Sequence, residues 1–160
     1  MQLISRQHDV LWPKLPQLSV YDVVDDESTE RRMQQFVRNR WSFPMTLYME
    51  AHSSDEETLL NLSLPLQKMR SIKKNLYITN QGWVREYIPA YKLIIEDEEI
   101  LKEAFHELFY VAEQNFLFAL TNESSLFYKG YSLTTTSDTI EIVTADYDGQ
   151  GVIFMTKGRD

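Results

Sequence analysis

The chain has 160 residues, 43% hydrophobic and 12% aromatic, with five glycines, five prolines and no cysteine; this is enough apolar material for one domain, and it excludes a disordered tail, a disulfide scaffold, thiolate metal centres and a cysteine nucleophile. The formal net charge of −8 is uneven, because residues 1–95 carry 12 basic and 11 acidic residues whereas residues 96–160 carry 4 and 13. Such a field repels nucleic-acid phosphates and anionic membranes and attracts basic partners, so nucleic-acid binding is disfavoured despite the short run Lys68, Arg70, Lys73, Lys74.

The N-terminal stretch MQLISRQHDVLWPKLPQ is broken by Arg6, His8 and Asp9 where a signal peptide requires an apolar run. No later segment approaches about 18 apolar residues, and the expectation is a cytoplasmic protein without a membrane span. Residues 1–24, with Pro13 and Pro16 among Leu11, Trp12, Leu15, Leu18, Val20 and Tyr21, read as an irregular strap. It would lie on an α+β core formed by residues 25–160, the whole of 1–160 making one domain.

DDESTERRMQQFVRNRW then reads as a helix capped by Ser28 or Asp26, with Met33, Phe36, Val37 and Trp41 as its apolar stripe. Its other face carries Arg31, Arg32, Arg38 and Arg40. Four arginines can grip phosphates, but Asp25, Asp26, Glu27 and Glu30 stand close enough in sequence to pair with them. FPMTLYMEAH and TLLNLSLPLQ flank SSDEE, and the alternation of Leu60, Leu62 and Leu64 predicts a hairpin with a charged tip. The competing reading is a helix with the capping-box spacing Ser54 to Glu57, against which Pro65 counts.

A second hairpin is predicted from KNLYIT and WVREYIPAYKLII around NQG, with Gly82 at the left-handed position of a three-residue loop. EDEEILKEAFHELFYVAEQ is the clearest helix, opened by four acids and carrying Ile100, Leu101, Ala104, Phe105, Leu108, Val111 and Ala112 on one face. Beyond Asn115 the period changes to two, and NFLFALT, SLFYKGYSLT, DTIEIVTADY and GVIFMTK read as up to four strands. The predicted fold class is α+β, an antiparallel sheet built from hairpins with two helices packed on it.

TADYDGQGVIF, residues 144–154, is the nearest approach to a chemical motif. A calcium loop begun at Asp146 has glycine at position 6, but Gln150 at position 5 and Lys157 at position 12, where a bidentate glutamate is required. A strand follows the glycines, so no helix N-terminus faces an anion. A type I′ turn centred on Asp148 and Gly149 explains the motif and sets Ala145 opposite Val152 and Val143 opposite Phe154. Both faces of that hairpin are then apolar, which places it in the sheet interior.

Glu103 and His106 have the Glu-x-x-His spacing of carboxylate-bridged metal sites, but those need two such motifs from four helices. Glu50 and His52, two apart on a predicted strand, offer an acid/base pair with no nucleophile tied to it. No catalytic residue, metal ligand or cofactor is therefore assigned. The residues of the second hairpin point to binding: Trp83, Arg85, Tyr87 and Tyr91 fall on one face of a strand, and these residue types dominate binding hot spots. Pro89 marks that strand as an edge. Together with Glu98 and Glu99 at the start of the long helix, they form the expected binding set.

The function read from the sequence is a non-enzymatic acidic binding protein, such as an inhibitor or immunity-type factor, whose acidic second half engages a basic protein. The alternatives are a small-molecule module lined by Phe105, Phe109, Trp83 and Tyr87, and a hydrolase-like enzyme using Glu50, His52 or His106.

Overall fold

A computed structural model describes residues 1–6 and 18–157. Its elements are β1 (Gln2–Ser5), β2 (Leu18–Val24), α1 (Thr29–Arg40), β3 (Met45–Glu50), α2 (Glu56–Leu60), β4 (Gln67–Thr79), β5 (Gly82–Ile95), α3 (Glu98–Leu108), α4 (Tyr110–Glu113), β6 (Phe118–Thr121), β7 (Phe127–Lys129), β8 (Ser132–Thr134), β9 (Glu141–Ala145) and β10 (Val152–Lys157). Eight strands form one antiparallel sheet in the order β1-β2-β10-β9-β6-β3-β5-β4, and β7 and β8 form a separate small hairpin. The fold class is α+β, as the sequence predicts. No helix among the described residues is long and apolar enough to cross a membrane.

Alternation along the strands creates two cores. Met45, Leu47, Met49, Tyr91, Leu93, Ile95, Phe118, Leu120, Val143 and Phe154 face the helices, which bury Met33, Phe36, Val37, Leu101, Phe105 and Leu108 against them. The intervening residues Tyr48, Ala119, Ile142, Ile153 and Met155 face the other way and pack with Leu126 and Leu133 around the small hairpin. A sheet covered on both sides is apolar on both sides, which is why its interior strands read as near-continuous hydrophobic runs.

Both main helices start where the sequence places them. Ser28 caps α1 by accepting the Arg31 N–H at 3.4 Å, and Asp97 caps α3 by accepting the Ile100 N–H at 3.0 Å. The β9–β10 hairpin has the expected register, Ala145 opposite Val152 and Val143 opposite Phe154, and it lies inside the sheet. Asp148 and Gly149 have φ of 56° and 70°, and Gln150 N–H donates to the Tyr147 carbonyl at 3.0 Å, which closes the turn. Asp148 exchanges two 2.7 Å hydrogen bonds with Asn115, and Asp146 accepts from Tyr147 N–H at 2.9 Å and from Arg6 at 2.7 Å. Both carboxylates are engaged in holding the turn.

Gly149 also passes close to α4, where an added Cβ would lie 3.0 Å from Cγ of Glu113 and 3.4 Å from its backbone. Gly149→Val is accordingly expected to lower stability by about 1–3 kcal/mol in urea unfolding, while Asp148→Asn, which keeps an acceptor oxygen and tolerates positive φ, costs well under that. Equal, negligible changes would contradict this geometry.

Four expectations need correction. The described parts of the N-terminal strap are regular strands: β2 pairs with both β1 and β10, while residues 7–17, including Trp12, lie outside the described residues. No hairpin follows β3. Both of its flanks are filled by β5 and β6, and the chain instead makes a helical turn at Ser53–Asp55 and the short α2, with Leu59 and Leu64 buried and Pro65 beyond the helix end. SLFYKGYSLT is a hairpin in itself, turning at Gly130 with φ of 67°.

The fourth correction concerns Pro89. At Pro89 β5 is not an edge, since from Ala90 inward it lies between β3 and β4 and the chain just past β3 still bonds to Pro89. The Pro89 carbonyl accepts the Ala51 N–H at 3.2 Å, one residue past the end of β3. Its missing N–H points to that same side, where β3 has already ended, so the ladder loses one bond at its limit.

Candidate binding surface on the long hairpin

The pairing of β3 with β5 stops at Glu50 opposite Ala90. Farther out, β5 is paired only with β4, so residues 67–95 end in a two-stranded arm. Gly82, with φ of 106°, and Thr79, whose hydroxyl accepts the Gln81 N–H at 3.2 Å and donates to the Gly82 carbonyl at 3.1 Å, shape its tip as the NQG reading requires.

On one face of the arm three cross-strand pairs follow one another: Ile78 with Trp83, Asn75 with Arg85 and Lys73 with Tyr87. A bulge at Leu76 restores the alternation, so that Ile78 shares this face with Asn75 and Lys73. The Lys73 ammonium lies 5.7 Å from the centroid of the Tyr87 ring. Ile78, Trp83 and Tyr87 are 66%, 58% and 63% exposed, although residues of this size usually hide much of their surface. The opposite face is different, with Ile72 and Ile88 buried at 2% and 0%.

The predicted binding residues therefore separate. Trp83, Arg85 and Tyr87 share the exposed face. Tyr91 has the same orientation but lies under the helices and is fully buried, so it belongs to the core. Burial, helped by Glu56, Tyr110 and Asp55, pushes its hydroxyl up to about 12. Glu98 and Glu99 stand beyond the other end of β5, roughly 40 Å along the strand from Trp83 at about 3.3 Å per residue. Glu98 is ion-paired with Arg38, while Glu99 is exposed.

The arginine-rich face of α1 is neutralised at longer range than the sequence implies. Arg31 pairs with Glu27, but Arg38 pairs with Glu98 and Arg40 with Glu141, and Arg32 donates to the carbonyls of Val23 and Glu27. Arg6 joins Asp22 at 2.9 Å and Asp146 at 2.7 Å. Glu98, Glu141 and Asp146 of the acidic second half are thus balanced by arginines of the first.

The proposed catalytic pairs do not form kits. Glu103 accepts from the Ser63 hydroxyl at 2.6 Å, and His106 is exposed one turn away. Glu50 is buried, bound to the Lys74 ammonium and to the Tyr128 hydroxyl at 2.5 Å. His52 instead shares a 2.7 Å hydrogen bond with Ser54 at the start of the helical turn. Phe105 and Phe109 stack at 5.9 Å inside the core and do not line a pocket with Trp83. Among the described residues no group of three or more His, Asp or Glu could hold a metal ion.

Sequence reading did not place Lys73 and Ile78 on this face, nor Tyr131 near it, the last 64% exposed at the turn of the small hairpin. The signal was present in QKMRSIKKNLYIT, whose cations interleave with apolar residues. Only the pairing with β5 shows which of them share a side. Compared with known proteins, the chain matches no family model, no curated protein and no solved structure.

Proposed function

We propose that this is a non-enzymatic binding protein that takes hold of a protein partner through the exposed face of the β4–β5 arm. The observation that carries this reading is the row of cross-strand pairs ending in Trp83, Arg85 and Tyr87. A two-stranded arm gains little stability from its own pairing, and exposing large aromatic rings on it does nothing for the core. Trp, Tyr and Arg are the side chains that most often dominate interfaces, because they bury much area at little entropic cost and keep a polar handle.

The face, rather than the edge, is the docking element. β4 is open along its whole length, but it is bulged at Met69 and Leu76 and carries Lys68, Arg70, Lys73 and Lys74, the devices that discourage strand addition. A second reading gives the partner a basic surface, as for an inhibitor or immunity-type factor. It is favoured by the net charge of −8 and by exposed Glu96 and Glu99 at the head of α3.

One experiment separates the two. A partner captured from the native host is titrated against wild type, Trp83→Ala with Tyr87→Ala, and Glu96→Lys with Glu99→Lys. Docking by the arm predicts a loss of about thirtyfold in affinity, roughly 2 kcal/mol, in the aromatic variant, through faster dissociation and with folding stability within about 0.5 kcal/mol of wild type. The basic-partner reading predicts slower association and a flatter salt dependence in the charge-reversed variant. Wild-type affinity in the aromatic variant would overturn docking by the arm.

A further inference from the structure

Beside the arm, between β4 and the turn of the small hairpin, lies a hollow of about 260 Å³ lined by Lys73, Lys74, Asn75, Arg85 and Tyr131. All five side chains can donate a hydrogen bond, and three are cations. The Lys74 charge is met by Glu50. Lys73 and Arg85 make no ion pair among the described residues, and the hollow therefore holds a surplus of about two positive charges.

What sets that surplus apart is that it is gathered in one place. Arg32, Arg70, Lys92, Lys102 and Lys129 also make no ion pair among the described residues, but Lys73 and Arg85 differ from them in lining one hollow together, in a protein with eight more acids than bases. With acids in excess, neighbouring cations left without them repel one another, and an anion between them relieves the cost. Lys74 is held rigidly, only 9% exposed and anchored by Glu50, which in turn binds Tyr128 of the same small hairpin that presents Tyr131. The two walls of the hollow are tied together by that buried link.

We infer that this hollow is a binding site for a dianionic phosphate monoester. Two uncompensated cations match a dianion better than a single carboxylate, and a guanidinium, an amide and an ammonium present donors suited to phosphate oxygens. The exposed Tyr131 ring lies beside the seat, where the organic group of the ester leaves it. The site goes beyond docking by the arm: it shares Lys73 and Arg85 with the docking face but draws on neither Trp83 nor Tyr87.

The test is a titration of the isotope-labelled protein with inorganic phosphate at low salt, followed by amide chemical shifts. Saturable shifts are expected at Lys73, Asn75, Arg85 and Tyr131. Binding weakens about tenfold in Lys73→Gln and in Arg85→Gln, is unchanged in Lys102→Gln, and declines as the pH falls through neutrality, where the inorganic phosphate dianion takes up a proton. Acetate binds at least about tenfold more weakly, as the charge argument requires. Parallel titrations with O-phosphoserine and adenosine 5′-monophosphate show by the tighter of the two whether the ester comes from a modified protein or a nucleotide. Non-saturating shifts spread over all the lysines, or wild-type binding in Arg85→Gln with its melting temperature unchanged, would overturn the site.

Discussion

Lys74→Met is expected to destabilise the protein by about 3–5 kcal/mol, because it strands a carboxylate in the interior. Glu50 is 1% exposed at the end of β3, with one oxygen taken by the Lys74 ammonium and the other by the Tyr128 hydroxyl. Burial lowers the Lys74 pKa, and Glu50 opposes that shift by its charge and hydrogen bond. The same burial, with Glu50 close by, drives the Tyr128 hydroxyl far above its ordinary value, so it stays a donor to the carboxylate. Glu50→Leu alone takes from the buried ammonium its carboxylate instead. The double variant Glu50→Leu with Lys74→Met removes both charges together and is expected to recover most of the loss, leaving about 1 kcal/mol for the orphaned tyrosine hydroxyl. Urea midpoints at constant slope measure all three. If the single losses simply add in the double variant, the pair does not act as a unit.

Glu141 should give the second large effect. It stands on β9 next to β10 and accepts from Arg40 Nε at 2.8 Å, Arg40 Nη2 at 2.5 Å and Trp41 Nε1 at 2.8 Å. The Arg40 guanidinium in turn lies 4.5 Å above the centre of the Phe154 ring, so one carboxylate fastens the end of α1 to the sheet. Glu141→Ala leaves a half-buried fork and an indole N–H without their acceptor, at a cost of about 2–4 kcal/mol. Burial on its own would raise the Glu141 pKa, but the hydrogen bonds from Arg40 and Trp41 and the charge of Arg40 outweigh it and hold the carboxyl below its ordinary 4.5. A folded pKa below the unfolded one means stabilisation that is complete above about 4.5 and is lost as the pH falls through the folded value. The stability gap between wild type and Glu141→Gln should therefore narrow at pH below about 4.5. A gap that stays constant in acid would show that the bidentate pair does not govern this carboxyl.

What is local was legible in the sequence. The cap at Ser28, the acidic start of α3, the stripes of α1 and α3, and the Asp148–Gly149 turn with the register of β9 and β10 all depend on residues a few positions apart. Their backbone geometry leaves few competing conformations. The two-sided apolarity of 140–156 likewise announced an interior position. Leu60, Leu62 and Leu64 show where this reasoning ends. Their period of two is that of a strand, yet a strand needs a free neighbour, and β3 had given both flanks to segments about 45 and 70 residues farther along the chain.

The candidate site divides in the same way. Residue types and alternation put Trp83, Arg85 and Tyr87 on one side of a strand, and the sequence determined that much by itself. It also put Tyr91 there, and only the tertiary structure could separate them, because the helices cover β5 as far as Tyr91 and stop short of Tyr87. Charge followed no local rule at all: Arg40 meets Glu141 about a hundred positions away, and Lys74 meets Glu50 across the end of β3. Backbone torsions and side-chain periodicity are properties of neighbours, and a sequence states them directly. Which strand lies beside which, which cations find acids, and which aromatic rings are left in water are decided by how the whole chain closes on itself.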